Sequence, residues 1–330
     1  MRVTKFIPIC CAFLLATFLP FTGWAQTQNS HPAQPGSINY VEGLASIGNE
    51  QLGTSSVGSV QLQAGQTLNT QSGKVEVLLV PGTFLRLDDN SSVKMINPGL
   101  ANTEVEVERG RALIEGTDIN KNNNIEVDQD GAKTKILKNG LYGFNADEHS
   151  VRVYKGKAQV LENDKKITLD KERELVLNTN AKPKAQNFDA RKYEDDFFRW
   201  SALRSGYLSE ASIDQARVYV DQGPGWFGPG WYWDPWFDCY TFIPGAGIAY
   251  SPFGWGFYSP LYVYRSPFYY GGYYGYGRPH PFGTLHYPYG HGIEPRDGFR
   301  GPVGGFHGGG LRGGLGGARG GVHGRGGGRR

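Results

Sequence analysis

The chain has no lysine after Lys192 and only three cysteines among its 330 residues. Cys10 and Cys11 lie in an apolar N-terminal run, so removal of that run leaves Cys239 alone and no intrachain disulfide is expected. The net charge of +3 is too small to indicate a nucleic-acid or membrane partner by itself. Glycine is unevenly distributed, with 17 residues before position 221 and 32 from there on. We therefore do not expect one uniform globular domain.

The N-terminus has the parts of a secretory signal peptide. A basic start at Met1–Lys5 precedes an apolar run at Phe6–Phe21, and small residues occupy positions −3 and −1 of a cleavage site after Ala25. We predict a signal peptide at residues 1–25, cleaved between Ala25 and Gln26. The mature chain is then exported to the periplasm or the outer envelope, and it has no transmembrane span.

After a polar leader at residues 26–37, residues 38–180 have the pattern of many short strands. Polar and apolar residues alternate in Val75–Val77 and Phe84–Leu87, and turn signals such as Pro81-Gly82 separate the strands. Strands this short and this closely spaced leave no room for helices between them. We predict a mainly-β fold for this module, built from antiparallel hairpins or solenoid-like rungs.

One segment is repeated within the module. Val105–Ile114 aligns with Val151–Val160 at an offset of 46 residues, and each copy has a glycine between two basic residues where two strands are expected to turn. The basic residues form either an anion-binding face or the solvated turn charges of a duplicated β-unit; they are Arg109, Arg111, Lys155 and Lys157. We favour the second interpretation.

The order of these segments resembles the FecR domain over about residues 40–180. The resemblance is carried by Ala64–Gly73, Val75–Leu79, the Pro-Gly-Thr-Phe-Leu-Arg-Leu segment at 81–87, Asn90–Met95, the strand pair Val105–Ile114, Gly140–Phe144 and Val151–Val160. It implies relationship to regulators that combine a cytoplasmic anti-sigma segment, one membrane helix, this periplasmic β-module and a domain that receives a signal from an outer-membrane transporter. Few residues precede the apolar run here, and the segment after the module is unlike the receptor-contacting domain. We therefore expect the β-module without those signalling parts.

A helical segment is predicted at residues 188–220, where the hydrophobic period changes. Asp189 is a candidate N-cap, and a second helical stretch is expected from Ser209 to Arg217. An apolar stripe should pack on the β-module or on the segment that follows; it consists of Tyr193, Phe197, Trp200, Leu203 and Tyr207. Asp195 and Asp196 diverge on a helix, so they are not expected to form a catalytic carboxylate pair.

Residues 221–290 are rich in Trp, Tyr, Gly and Pro. The candidate ligand-stacking residues are Trp226, Trp231, Trp233, Trp236 and Trp255. Indole rings stack on the apolar faces of sugars, and Asp234 or Asp238 would accept hydrogen bonds from sugar hydroxyls. Alternatively the aromatic residues self-associate or lie at a membrane interface without a specific ligand, and we favour this alternative.

The remaining residues, 291–330, form a Gly/Arg/His tail that we predict to be disordered. A solvated, flexible tail is the default interpretation. If its arginines bind a partner, anionic lipid, lipopolysaccharide or acidic polysaccharide is a better candidate than a nucleic acid, because export makes a nucleic acid implausible. Its histidines, like those from His280 onward, lie in Gly/Pro-rich low-complexity sequence, where we expect weak adventitious metal binding at most and no preformed metal site.

Sequence motifs for catalysis are absent, and we expect no cofactor and no metal. Asp118–Gln129 partly matches a calcium-binding EF-hand loop, but it lacks the central glycine and the final glutamate. We favour an asparagine-rich turn and leave calcium open. Cys239 is expected to be a packed, inert thiol.

We therefore expect an exported, non-enzymatic envelope protein that has a FecR-like module and binds a polysaccharide, lipopolysaccharide or protein partner. The first alternative is a periplasmic sensor or regulatory module related to FecR-type signal transduction. The second is a carbohydrate-active enzyme, which would require two carboxylates that converge in a cleft. The ligand and the oligomeric state are left open.

Overall fold

The chain folds into one large curled β-sheet, followed by a long helix, two small hairpins and a short second helix. The computed structural model describes residues 33–177, 183–221 and 226–265. The mainly-β prediction with a helical segment after the module is confirmed. The predicted signal peptide, most of the polar leader and the Gly/Arg/His tail lie outside the described residues.

The strands of the large sheet are β1 (Ile38–Ile47), β2 (Glu50–Leu52), β3 (Thr67–Val80), β4 (Thr83–Leu87), β5 (Ser92–Pro98), β6 (Asn102–Arg109), β7 (Arg111–Gly116), β8 (Asn124–Gln129), β9 (Ala132–Ile136), β10 (Gly140–Asn145), β11 (Ser150–Lys155), β12 (Lys157–Glu162), β13 (Lys165–Asp170), β14 (Arg173–Val176) and β15 (Gln186–Asn187). The later elements are helix α1 (Asp196–Asp221), hairpin β16 (Gly230–Asp234) and β17 (Cys239–Ile243), hairpin β18 (Ile248–Tyr250) and β19 (Gly256–Tyr258), and helix α2 (Pro260–Arg265).

The sheet folds into two layers because its long strand β3 belongs to both. The strand order is β13-β12-β9-β8-β6-β5-β3-β4-β7-β10-β11-β14-β15, and β1 pairs with β2 and β3. Residues 67–69 of β3 pair with β5, whereas residues 75–80 pair with β4. We call the part from β5 to β13 the open layer. The part from β4 to β15, with the second half of β3, is the helix-side layer, because α1 packs on it.

The main core lies between the two layers and is formed by the inward residues of both. Val105 and Val127 come from the open layer, Tyr142 and Val153 from the helix-side layer, and all four are fully buried. Burial of an aliphatic or aromatic side chain of this size contributes about 1.5–3 kcal/mol, so this alternating set of residues is the main stabilising feature of the module.

The repeated glycines lie where two successive strands turn, as expected, and each turn is a corner between the layers. Gly110 separates β6 from β7, but β6 pairs with β5 and β8, and β7 pairs with β4 and β10. Gly156 separates β11 from β12 in the same way. The first copy therefore passes from the open layer to the helix-side layer, and the second copy passes back.

The predicted boundaries within the helical segment are wrong in two respects. Asp189 caps a short 3₁₀ turn at Ala190–Tyr193 and not the main helix, which begins at Asp196. Helix α1 then runs without interruption to Asp221, so there is no separate second helix.

The buried face of α1 also differs from the predicted apolar stripe. Phe197 is buried, but Leu203 and Tyr207 remain 54% and 42% exposed. The face that packs on the sheet is made mainly of small and polar residues; it includes Ser201, Arg204, Ser205, Leu208, Ser209, Ala211, Ser212, Gln215 and Ala216. Small side chains allow the helix to approach the large aromatic residues of the sheet and the second hairpin, as shown by Gly206 beneath Trp255.

The corner at Gly110 gives a stability prediction. Its φ of 69° is in the left-handed region, and a Cβ there would lie 2.3 Å from Ser91 Oγ and 2.7 Å from the Asn90 carbonyl oxygen. Gly131 has a similar φ of 77° but open space around it. We expect Gly131→Ala to lower the free energy of unfolding by about 1 kcal/mol, and Gly110→Ala by roughly 1–3 kcal/mol more. Urea unfolding of both variants tests this, and equal losses would contradict the close packing of the corner.

Candidate functional site: the covered face of the helix-side layer

Three charged residues lie on the outer face of the helix-side layer. Glu76, Arg86 and Glu115 belong to the adjacent strands β3, β4 and β7, and their side chains point away from the main core because they alternate with inward residues. Helix α1 and the later hairpins cover this face, so all three residues are fully buried.

Arg86 joins the two carboxylates within the sheet. Its Nε lies 2.8 Å from Glu76 Oε2, and its Nη1 lies 2.6 Å from Glu115 Oε2. One guanidinium group is thus shared between two carboxyl groups from neighbouring strands, a geometry that the fork of arginine donors fits well.

Helix α1 supplies the remaining charge and a hydroxyl group. Arg204 Nη2 lies 3.1 Å from Glu76 Oε1, and Ser205 Oγ donates a hydrogen bond to Glu115 Oε1 at 2.7 Å. Two acids and two arginines therefore neutralise each other in the interior. We call these four charged residues the buried charge network.

Side chains from two further segments of the chain donate hydrogen bonds to the same carboxylates. Asn39 Nδ2 donates to Glu76 Oε1 at 2.9 Å and to the carbonyl oxygen of Tyr240 at 2.9 Å, while Asn39 Oδ1 accepts from the Tyr240 backbone N–H at 2.7 Å. Ser251 Oγ donates to Glu115. Strand β1, the FecR-like strands, α1 and the last hairpins are thereby joined at one point.

The electrostatics of the site keep Glu76 ionised. Burial opposes ionisation, but Arg204 and Arg86 outweigh it and hold the pKa of Glu76 below its ordinary value. The two arginines also contact aromatic rings, with the Arg204 guanidinium 4.0 Å from the centre of Tyr40 and that of Arg86 5.6 Å from the centre of Phe84. Cation–π contacts of this kind favour the guanidinium groups in a desolvated site.

Apolar residues surround the network on both sides. One cluster includes Leu78 and Phe84 of the sheet with Leu208 of α1 and Phe242 and Phe257 of the hairpins. A second cluster joins Leu113 and Leu141 to Phe197 of α1. These residues exclude water from the charges and strengthen their interactions.

The side chains of this site hold two parts of the chain together by ion pairs and hydrogen bonds. The two carboxylates converge, as the enzyme hypothesis requires, but they converge on an arginine and are fully buried. A substrate does not reach them in this conformation.

A second ion pair fastens the N-terminus of α1. Arg111 pairs with Asp88, which directly follows β4, and with Asp195. Its guanidinium lies 5.5 Å from the ring centre of Phe197. Asp195 Oδ1 accepts from the Phe198 backbone N–H at 3.0 Å. Burial raises the pKa of Asp195, but the hydrogen bond from Arg111 and those from the backbone outweigh burial and lower it. Asp195 therefore works as a helix cap, while its neighbour Asp196 points to solvent and pairs with Arg199.

The five tryptophans predicted to stack on a ligand do not share one surface. Trp231 packs edge-on against Phe84 and Phe242, and Trp233 packs on Tyr240. Trp255 Nε1 donates to the Ala202 carbonyl oxygen at 3.0 Å. Trp226 is partly buried, and only Trp236, at 74% exposure, presents most of its ring to solvent. Ligand stacking stays a prediction, and Trp236 is the residue placed for it.

The other polar candidates of this region are Asp234, Asp238 and Cys239, and the first and last of them are buried. Asp234 is fully buried and accepts from the backbone N–H groups of Trp236 and Phe237 and from Gln215. Asp238 occupies the β16–β17 turn with a φ of 48°. Cys239 is buried in the aromatic cluster, and burial raises the pKa of its thiol to about 12, which fits a packed and unreactive residue.

The four basic residues of the repeat are not brought together. Arg111 and Arg109 flank the corner at Gly110, beside the end of β10 at Asn145, whereas the Gly156 corner lies at the opposite end of β10. Lys157 pairs with Asp170 at 3.0 Å, Lys155 with the Pro252 carbonyl oxygen, and Arg109 Nε donates to the Asn90 carbonyl oxygen at 3.3 Å. Each of these basic groups thus has its own local partner.

The EF-hand-like segment is split between a loop and a strand. Its second half is β8, where successive side chains point to opposite sides of the sheet, so that Ile125 and Val127 enter the core. In the loop, Asn120 Oδ1 accepts from the Asn122 backbone N–H, and Asn123 Nδ2 donates to Leu100. Within residues 33–177, 183–221 and 226–265, no three His, Cys, Asp or Glu side chains cluster around a metal position.

The outer face of the open layer carries charges that sequence patterns did not single out. Lys133 Nζ contacts Glu104, lies 2.9 Å from Asp128 Oδ1 and 3.5 Å from Glu126 Oε2. Burial lowers the pKa of Lys133, but its bonds to Glu104 and Asp128 raise it above the ordinary value. Period-two alternation shows that these side chains share a face, but strand pairing is needed to show that they meet.

Comparison with known proteins identifies the module. Residues 66–159 match the family model of the FecR protein. These residues form a FecR domain. Glu76, Arg86 and Glu115 all lie within the FecR domain, whereas Arg204 and the hairpins that cover it lie beyond the matched residues.

Among solved structures, the chain is similar to a putative anti-sigma factor from Parabacteroides distasonis, in crystal structures at 1.65 and 2.50 Å resolution. The identities are 18% and 19%, and the TM-scores are 0.33 and 0.32. Each match covers 38% of this chain and 62% or 60% of the other, so it spans about three-fifths of those proteins. No curated protein matches the chain. Of the helices in the described residues, none has the length and apolar character that a membrane crossing requires.

The lowered pKa of Glu76 predicts acid sensitivity. Its ionised form stabilises the fold fully above the ordinary glutamate pKa of 4.5, and this contribution is lost as the pH falls through the lower pKa of the folded state. We expect the free energy of unfolding of the wild-type chain to fall more between about pH 6 and about pH 3 than that of Glu76→Gln, which cannot take up the proton. Urea unfolding at each pH measures this. Exposed Glu50→Gln should follow the wild type, and an identical decline in Glu76→Gln would contradict the assignment.

Proposed function

We propose that the chain is a non-catalytic regulatory module of the FecR type that acts at the cell envelope by contact with a partner protein. The observation that supports this most is that the outer faces of the two layers differ in how far they are covered. The outer face of the helix-side layer is closed by the chain's own later residues through the buried charge network, and the outer face of the open layer is left partly exposed.

The open face has the chemistry of a protein-recognition surface. Strands β6 and β8 run parallel there, and their register places Glu104 beside Glu126 and Glu106 beside Asp128. Lys133 of β9 adjoins this acidic row, and Lys94 of β5 pairs across from Glu106 on the other side. Adjacent rows of opposite charge favour a partner with a complementary pattern, which supplies orientation and selectivity.

The proposal includes export and the absence of catalysis. Export depends on the signal peptide predicted at residues 1–25, and N-terminal sequencing of protein from the envelope fraction should find Gln26 as the first residue. The non-catalytic role is supported by the buried, arginine-paired state of Glu76 and Glu115, two acids that converge on one guanidinium group.

Binding of an envelope polysaccharide is the second candidate function, and the exposed ring of Trp236 is the observation that favours it. Contact of the arginine-rich tail with anionic lipid or lipopolysaccharide remains a prediction outside the described residues.

Deletion of the gene in its host, followed by transcript sequencing, distinguishes these functions. A regulatory module predicts that a small, defined set of transcripts changes. The wild-type chain should restore the set, and Glu104→Lys with Glu126→Lys should not, because the acidic row is reversed. The matched control is Glu50→Lys with Glu172→Lys, two exposed acids outside the row, which should restore it. Unchanged transcripts, together with polysaccharide binding that Trp236→Ala abolishes, would replace the regulatory proposal by the second candidate.

A further inference from the structure

The β16–β17 hairpin has one edge whose backbone groups are hydrogen-bonded and one edge, called the free edge below, that has no hydrogen-bonded neighbour among the described residues. On the β17 side, the backbone N–H and carbonyl oxygen of Tyr240 point away from β16, because both bond to the side chain of Asn39. Asn39 thus takes the place of a neighbouring strand. On the β16 side, no hydrogen bond from another described residue reaches the backbone of Trp231 or Trp233.

The register of the hairpin identifies which groups are free. Trp233 is paired with Tyr240, and Trp231 with Phe242. In an antiparallel ladder, opposite residues either exchange both backbone bonds or point both groups outward. Since Tyr240 points outward, so does Trp233, and the period of two extends this to Trp231. The free edge therefore presents two N–H and two carbonyl groups in the spacing of a β-ladder.

Features that usually protect an edge strand are missing from β16. Natural edges carry lysine, proline or charge, or they are very short. Strand β13 carries Lys165 and Lys166, and β15 has only two residues. Residues 230–233 of β16 are Gly-Trp-Tyr-Trp, with no charge and no proline, and the following Asp234 is buried.

We propose that β16 pairs antiparallel with β16 of a second copy of this chain, which joins the two hairpins into a four-stranded sheet. A two-fold axis at Tyr232 places Trp231 of each copy opposite Trp233 of the other, so every free N–H meets a free carbonyl oxygen. The uncharged edge also brings no like charges together. Both properties favour a second copy as the occupant, because a closed two-fold contact uses the same strand on both sides.

The exposed aromatic residues agree with this pairing. Phe227 and Trp236 are the two most exposed large hydrophobic residues of the described chain, at 96% and 74%. They lie at opposite ends of β16, so antiparallel pairing about Tyr232 brings Phe227 of one copy to the end occupied by Trp236 of the other. Burial of these rings adds apolar area to the backbone hydrogen bonds.

Sedimentation of the full chain over a range of concentrations tests the proposal. We expect a reversible dimer, and Phe227→Lys should raise its dissociation constant by at least about tenfold, since it removes an aromatic ring that the pairing buries and places a charge next to the pairing edge. The matched control is Leu100→Lys, which adds the same charge at a residue of 54% exposure in the β5–β6 turn and should behave as the wild type. A wild-type chain that is monomeric throughout, or equal effects of the two variants, would overturn the proposal.

A cross-link tests the position of the axis. Tyr232 faces itself across the two-fold as a non-hydrogen-bonded pair, whose Cβ atoms lie about 4.5–5.5 Å apart. Tyr232→Cys should therefore form an interchain disulfide under mild oxidation, whereas Leu203→Cys, exposed on α1, should not. The wild-type thiol at Cys239 is buried and should not react. A dimer that persists without cross-linking at position 232 would contradict this pairing.

Discussion

Four charges buried between a β-sheet and a helix hold this chain in its observed form. Glu76, Arg86 and Glu115 lie on adjacent strands of the FecR domain, and Arg204 comes from a helix, 128 residues after Glu76. Removal of charges from water costs several kcal/mol for each ion, and good geometry is required to offset this. Arg86 Nη2 and Arg204 Nε have no hydrogen-bond partner among the described atoms, so part of that cost remains. The network is accordingly better suited to define one docking position than to add large net stability.

That constraint explains the unusual face of α1. A helix that packs by hydrophobic area alone would present its aromatic residues, yet Leu203 and Tyr207 stay exposed and serines face the sheet. Small residues let the helix approach until Arg204 reaches Glu76 and Ser205 reaches Glu115. Asn39, which contacts both Glu76 and Tyr240, extends the same fastening to the hairpin. Helix α1 and both hairpins therefore bond to the two buried acids or to Asn39, which contacts one of them.

The sequence alone was sufficient for the strands, the class of the fold and the FecR resemblance. Alternation over Val75–Val77 and Phe84–Leu87 marks strands correctly, because the inward residues form the core between the layers. The same pattern suggests that Glu76 and Arg86 face water, and this is where local reasoning fails. A period of two shows that residues lie on the opposite face, but not that a distant helix covers it. The corners at Gly110 and Gly156 were missed for a similar reason, since a turn signal does not reveal which strands become neighbours.

The central claim is that the contact between Arg204 and Glu76 fastens the later part of the chain to the FecR domain. A double-mutant cycle of Arg204→Met and Glu76→Gln, followed by urea unfolding, tests it most directly. Loss of one partner from a buried pair costs about 3–5 kcal/mol, so we expect a loss of that size for Arg204→Met and a much smaller additional loss when Glu76→Gln is already present. Exposed Arg199→Met should change stability by no more than about 0.5 kcal/mol. Losses that simply add, or an Arg204→Met loss no larger than that of Arg199→Met, would contradict the account.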